Sequence, residues 1–354
     1  MRTPALLALV LMLTGCSTVS FYWQAFTGQM EVTRLARPVE DLLADPQTPA
    51  DIRRRLAYAQ RAREFASREL GLPDNASYRR YADLQRPFAV WNVFAAPALS
   101  LELRTQCFPV AGCVVYRGFF NQEAALRHAA MLRDEGLDVY VGGVPAYSTL
   151  GWFADPLLNT FIRYPDLEIA RLIFHELTHQ VAYVQDDSSF NESFAVAVEE
   201  AGLKRWMVHH ASAADRDNYT AFALRRRELI RLFVAARRDL AAAYAAPGDE
   251  AARREDKGRI LKTLADQYTA QKLRWNLSQA QERAYDDFVL KDLNNAKLGS
   301  IATYTRRVPQ FATLLERSAG DFARFFDEVR MLAALPREVR ERRLDELAPI
   351  AKED

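Results

Sequence analysis

His175 and His179 stand four residues apart with Glu176 beside the first, in the run His175-Glu176-Leu177-Thr178-His179. On a helix, residues four apart share a face, so both imidazoles can reach one ion. The residue after His175 lies about 100° round the helix, near the metal without being forced to bind it. This is the pattern of a divalent metal held by two imidazoles, with a carboxylate free to move protons. The chain has five histidines. His128, His209 and His210 have no partner at such a spacing, and an adjacent pair cannot share a helix face, so all three read as surface or core residues. A catalytic metal needs a third protein ligand and room for water. Residues 180–185 hold no histidine, whereas Glu192 follows with 12 residues between it and His179. That interval lets a helix end, turn back and bring Glu192 alongside the imidazoles. The expected set is therefore His175, His179 and Glu192 around one zinc ion per chain, with Glu176 as general base. Glu199, seven residues past Glu192, is on nearly the same face and suits the free N–H of a ligating histidine. For the donor to a developing oxyanion, Tyr304 is one candidate and Tyr147 another, although each reads more readily as a core tyrosine.

These side chains need elements to hold them. Asp166 to Tyr183 reads as one helix, entered after Pro165 with Asp166 as a candidate N-cap. It is apolar on most faces, as a buried helix is. Gln185 to Ser188 forms a short polar loop, and Ser189 caps a second, antiparallel helix from Asn191 to about Trp206. Upstream, Phe88 to Phe94, Val114 to Phe120 and Val139 to Val141 have strand composition. Gln122 to Glu135 reads as a crossover helix ended by Gly136, which gives a small mixed sheet. Gly142 to Phe153 is either a plain loop or an edge strand able to pair with a peptide main chain. Met30 to Leu72 is helical, stopped by the turn at Gly71 to Asn75. From Ala211 the chain is helical, with breaks at Pro247-Gly248-Asp249 and within Leu273 to Glu282. The fold class is α+β: residues 17–87 a tether and helices, 88–210 a core carrying the site, and 211–354 a helical region packed on it. A hydrophobic fraction of 49% is ample for a core, and a net charge of +1 does not point to nucleic acid. Charged runs such as Arg225 to Glu228 read as solvated helix faces.

Residues 1–16 read as an address. Met1-Arg2 is followed by the apolar run Ala5 to Leu13, too short to span a bilayer as a mature helix. Leu13-Thr14-Gly15-Cys16 resembles a bacterial lipobox, which implies cleavage before Cys16 and a lipid-modified N-terminus that anchors the protein without spanning the membrane. Ser17 in place of Asp implies sorting to the outer membrane, facing the periplasm. Ser17 to about Gln29 then reads as a tether with aromatics. No other stretch is long and apolar enough to be a transmembrane helix. Of three cysteines, Cys107 and Cys113 remain, and an oxidising compartment favours a disulfide across their Pro- and Gly-containing loop.

His175-Glu176-x-x-His179 with Asn191-Glu192-x-Phe194-Ala195 resembles the gluzincins, zinc peptidases of the thermolysin and aminopeptidase kind whose third ligand is a glutamate. More closely, the chain resembles the bacterial family of predicted aminopeptidase lipoproteins. The resemblance rests on Cys107 to Cys113, Gly142 to Phe153, Ile173 to Gln180 and Phe190 to Ala195, and covers most of the mature chain. It implies a zincin-like core, a zinc metallopeptidase with aminopeptidase-like activity and a peptide substrate. Two features depart from the better-known aminopeptidases: Glu192 lies closer to the second histidine, and their Gly-x-Met-Glu-Asn segment has no counterpart. Two other readings stand beside it: a non-catalytic lipoprotein whose zinc-stiffened groove binds an envelope partner, and a zinc hydrolase of a non-peptide bond. Glu176 favours catalysis, because a binding module has no use for the base.

Overall fold

The computed structural model describes residues 22–108 and 112–347. Cys16, the apolar run before it and Ser17 lie outside these residues. The mostly helical chain opens with a helix over residues 22–35 (α1). A short strand β1 (Arg37–Pro38), helix α2 (Val39–Ala44) and the long helix α3 (Ala50–Leu70) follow. The α1 helix begins where the sequence suggests a tether, and tertiary hydrogen bonds account for it. The Gln24 amide donates to the Gly118 carbonyl and accepts from the Phe120 N–H, both at 3.1 Å. Gly71, at φ 65°, gives α3 its left-handed stop, a conformation that disfavours any residue with a Cβ. Arg63 of α3 is fully buried, and its guanidinium ties down the next turn through the carbonyls of Pro73, Asn75 and Ser77.

The central segment contains β2 (Arg80–Ala82), β3 (Val90–Pro97), a hairpin of β4 (Gln106–Phe108) and β5 (Gly112–Val114), β6 (Arg117–Phe119), α4 (Gln122–Asp134) and β7 (Leu137–Val144). A disulfide joins Cys107 and Cys113 across the hairpin. The main sheet has the order β6-β3-β7. Both of its pairings are antiparallel, with Trp91 opposite Phe119 on one side and Gly143 on the other. The expected mixed pairing is absent from this sheet because α4, capped by the Asn121 side chain, carries the chain across β3. The two strands it joins therefore flank β3 without touching. Mixed pairing occurs in a second small sheet, where β2 is antiparallel to β1 and parallel to β8 (Leu157–Leu158).

After the short helix α5 (Asn159–Ile162) come α6 (Asp166–Thr178) and α7 (Ser188–His210). The α6 helix is buried on nearly all faces and packs between α3 and α7. It ends five residues before the sequence pattern does. Gln180 and Val181 close tight turns onto Leu177 and Thr178, and the Gln180 amide bonds Asn75 and Ser77. These tertiary bonds override the periodicity. Pro165, not Asp166, occupies the cap position of α6, and Asp187, not Ser189, caps α7 by accepting from the Phe190 N–H. Gly202 lets α7 pack closely on its neighbours: a Cβ there would lie 2.6 Å from Leu70 and 3.2 Å from Phe174.

The remaining helices are α8 (Ala213–Ala245), α9 (Glu250–Lys272), α10 (Gln279–Val289), α11 (Asn295–Thr305), α12 (Val308–Arg317), α13 (Phe322–Ala333) and α14 (Arg337–Asp345). The chain breaks at Pro247 and within Leu273 to Ser278, as the composition suggests. The largest core cluster draws on α3, α6, α7, α12 and α13 together, while a second one lies between α8, α9 and α11. No described helix is long and apolar enough to cross a membrane.

Candidate metal centre

The approach of α6 and α7 is antiparallel: position 171 of α6 meets 199 of α7, and 179 meets 192. The loop between them is held by Asn191, whose side-chain amide donates to the Val184 carbonyl and whose amide oxygen accepts the Val184 N–H, both at 2.8 Å. Asp187, which caps α7, also receives the guanidinium of Arg340 from α14. With the loop closed in this way, Glu192 stands over the two histidines. Its Oε2 is 3.3 Å from His175 Nε2 and 3.7 Å from His179 Nε2. One donor atom from each of the three lies within 4.8 Å of the others, and all three residues are buried, so the group could hold a metal ion.

His175 Nδ1 is 2.8 Å from Glu199 Oε2, which leaves its Nε2 facing the other two donors. Glu199 is fully buried. Arg171 meets the same carboxylate oxygen at 2.8 Å, and Arg226 of α8 lies 3.7 Å from the other. Burial by itself would raise the Glu199 pKa, but these arginines and His175 hold it down to about 2. Burial would lower His175, yet its hydrogen bonds to Glu192 and Glu199 outweigh that and hold it up at about 10. His179 behaves oppositely: burial drives its pKa down to about 4, against the pull of Glu192, which leaves a neutral imidazole. Burial would also raise Glu192, and the two histidines lower it instead. Glu176, buried beside them, is raised to about 7, first by burial and then, against His175, by the charges of Glu192 and Asp155.

The centre opens into a cavity of about 1280 Å³. Tyr304 of α11 lines it. Burial first, then the charges of Glu192, Tyr116 and Glu176, keep its hydroxyl protonated far above the ordinary tyrosine range. Tyr147 also lines the cavity, but its hydroxyl donates to Gln29 Oε1 at 2.6 Å. Elsewhere His128 of α4 packs on Phe119 of β6, and His210 stacks at 3.7 Å on Trp206 at the far end of α7. Three side chains at this centre have no counterpart in the sequence reading: Arg171, Asp155 and Tyr116. A fourth, Arg226, belongs to a charged run that reads as a solvated face, but it turns inward to pair with Glu199 and Glu200. Arg171 carried a usable signal, being four residues before His175 on an otherwise apolar helix. Tyr116 lines the cavity, and burial and then Glu192 raise its hydroxyl pKa too. Arg226 and Tyr116 gave no signal, because only the fold brings them here.

Fold and site together define a mostly helical α+β protein with a buried His/His/Glu group that could hold a metal ion. The model of a family described as "Putative aminopeptidase" matches residues 20–344, so the chain belongs to that family, and its membership points to peptidase activity. No curated protein and no solved structure matches the chain.

Proposed function

We propose that this chain is a zinc-dependent peptidase of the gluzincin kind, zincin-like in its core and aminopeptidase-like in activity. We propose further that it is a lipoprotein held through Cys16 at the outer membrane, facing the periplasm. The observation that carries the enzymatic reading is the convergence of His175, His179 and Glu192 in a cavity with a second carboxylate, Glu176, beside them. The donor chemistry fits zinc: two imidazoles and one carboxylate, with the Nδ1 of His175 engaged by Glu199 so that its Nε2 faces the other two donors.

Bound there, zinc would supply Lewis acidity toward the scissile carbonyl and make water a better nucleophile at neutral pH. Glu176 takes the proton of the attacking water and delivers it to the leaving amine. A carboxylate raised to about 7 is suited to both transfers near neutrality. Tyr304, protonated and close to Glu192, is the donor to the carbonyl oxygen as it gains charge, and Tyr116 is a second hydroxyl in reach of that role. Glu199 holds the His175 ring through Nδ1, braced by Arg171 and Arg226. The β7 strand sits at the edge of its sheet and its Gly142-Gly143-Val144 end lines the cavity, so a peptide can be taken by main-chain pairing there.

The test is the metal content of protein starting at Ser17, measured by elemental analysis for the wild type and Glu192→Ala, with hydrolysis of a peptide library for Glu176→Gln. We expect about one zinc per chain, lost in Glu192→Ala. Glu176→Gln should keep the metal and lose about 10²-fold or more in turnover. A wild type that takes up no zinc on reconstitution would overturn the assignment, and so would a Glu176→Gln variant of unchanged activity.

A further inference from the structure

The outward face of α1 is made of the wrong residues for water. The exposed positions along it are Trp23, Phe26, Thr27, Met30, Thr33 and Arg34, spaced as one helical face. Trp23 is 67% exposed, Phe26 57% and Met30 43%, and the first two rings lie 6.4 Å apart. Arg34 is the face's one charge, at its far end. The exposed faces of α8 and α9 are laced instead with ion pairs such as Arg238–Asp239 and Lys262–Asp266.

The α1 helix cannot turn this face inward. Its other side is pinned by Gln24 on Gly118 and Phe120, and by Gln29 on Tyr147. Glu31 adds an ion pair to Arg86 at 2.8 Å. Gly28 lies so close to the Phe120 ring that a Cβ there would sit 2.2 Å from it. A second exposed aromatic pair, Trp152 and Phe153, lies on the loop after Tyr147, at 84% and 44% exposure. Phe26 and Phe153 both line the cavity that holds the metal centre, so the apolar face borders its mouth.

We propose that this surface, Trp23, Phe26 and Met30 of α1 with Trp152 and Phe153, docks into the interfacial layer of the membrane. It thereby turns the mouth of the cavity toward the lipid surface. The inference rests on the proposed acylation of Cys16. Tyr22 is the sixth residue after Cys16, a span of at most about 20 Å at ~3.3–3.6 Å per residue. Acyl chains on Cys16 therefore bring a bilayer to the end of α1 and make it the nearest apolar partner for the face. Trp and Phe favour the boundary between headgroups and acyl chains, and Arg34 suits anionic headgroups. The lipid supplies attachment and the aromatic face supplies orientation, so substrate enters along the membrane plane.

The test uses the full lipidated protein in vesicles of phosphatidylethanolamine and phosphatidylglycerol with brominated acyl chains. Bromine quenches only tryptophans that reach the acyl boundary. Of the five tryptophans, Trp91 and Trp206 are buried. We expect wild-type emission to fall relative to unbrominated vesicles. That loss should disappear in the Trp23→Phe, Trp152→Phe double variant. In the Trp23→Glu, Met30→Glu variant the quenching of Trp152 should be lifted while the protein still floats with the vesicles. Equal emission in both vesicles, with acyl chains on Cys16 verified by mass, would overturn the docking and leave the anchor standing. An unmodified Cys16 would remove the anchor and the docking with it. A dimer in detergent that Trp23→Glu disperses would place a second copy on the face and overturn the proposal.

Discussion

The floor and the walls of the cavity are built on opposite principles. On the floor, α6 and α7 bury five ionisable groups within one patch: His175, Glu176, His179, Glu192 and Glu199. The walls carry Phe94 and Tyr140 from the sheet, Phe233 from α8 and Phe288 from α10. Isolated buried charges cost several kcal/mol each, so the charged groups are paired, His175 with Glu192 and Glu199 and Glu199 with Arg171, while burial itself pushes His179 and Glu176 toward their neutral forms. The walls need no such compensation and can vary in shape without disturbing the centre. Chemistry is thus fixed by the helix pair, and the choice of what enters is left to elements that meet the centre only through space. Variants that break this division should differ in kind as well as in size.

The largest effect is expected on the floor, away from the donor atoms. Glu199→Ala leaves Arg171 and Arg226 facing an unsupported His175. Removing one partner of a buried ion pair costs about 3–5 kcal/mol of stability, measurable by denaturant unfolding. Zinc affinity should fall about 10–100-fold with it. Unchanged unfolding and unchanged zinc titration would show that the floor does not depend on this carboxylate.

Next comes the donor to the developing charge. Tyr304→Phe should lower kcat by about 10²–10³-fold, or ~2.7–4 kcal/mol, with zinc content and the unfolding midpoint unchanged. Tyr116→Phe is the paired measurement. If it costs the larger factor, the role passes from α11 to the segment before β6, and the ranking of the two tyrosines is reversed.

A smaller effect is expected from the walls. Phe288 is partly exposed where it borders the cavity. Phe288→Ala should lower kcat/KM for peptides with bulky apolar side chains by about 10–200-fold relative to small ones. Zinc content should be untouched. A uniform loss across all peptides would mean that this wall supports the centre instead of selecting for it.

The same division explains what could be read from the sequence. Helix spacing is a local rule, so His175, Glu176 and His179 were legible in one segment, and Glu192 and Glu199 followed from a single return helix. The strands β3 and β7 and the C-terminal helical breaks are legible through composition and turn residues, whereas the run Val114 to Phe120 is not one strand: β5 ends at Val114 in the hairpin and β6 begins at Arg117 in the main sheet. The ends of α6 and α7 were not, because the bonds from Gln180 to Asn75 and Ser77 and the Asn191 clamp on Val184 are made between distant segments. The first half of α1, which reads as a tether, is illegible for the same reason, since Gln24 finds its partners in β6 and Phe120. Tyr116 and Arg226 reach the site from a strand segment and a charged helix face whose patterns carry no sign of the centre.

Tyr147 gives the smallest prediction, and it probes the border between floor and wall. Its hydroxyl is spent on Gln29, so it ties the loop after β7 to α1 and has no proton to lend the centre. Burial raises its pKa far above the ordinary range, so the bond is between neutral groups across the working pH. Loss of a neutral hydrogen bond costs about 1 kcal/mol. Tyr147→Phe should therefore shift the unfolding free energy by about that much and leave kcat for small soluble peptides within a few-fold of wild type. Gln29→Leu should have a similar cost, and the double variant should cost less than the sum, since the two side chains share one bond. If Tyr147→Phe instead lowers kcat as Tyr304→Phe is expected to, with stability unchanged, Tyr147 is a donor in turnover and belongs to the floor. In that case the hydrogen bond to Gln29 is a resting arrangement that substrate displaces.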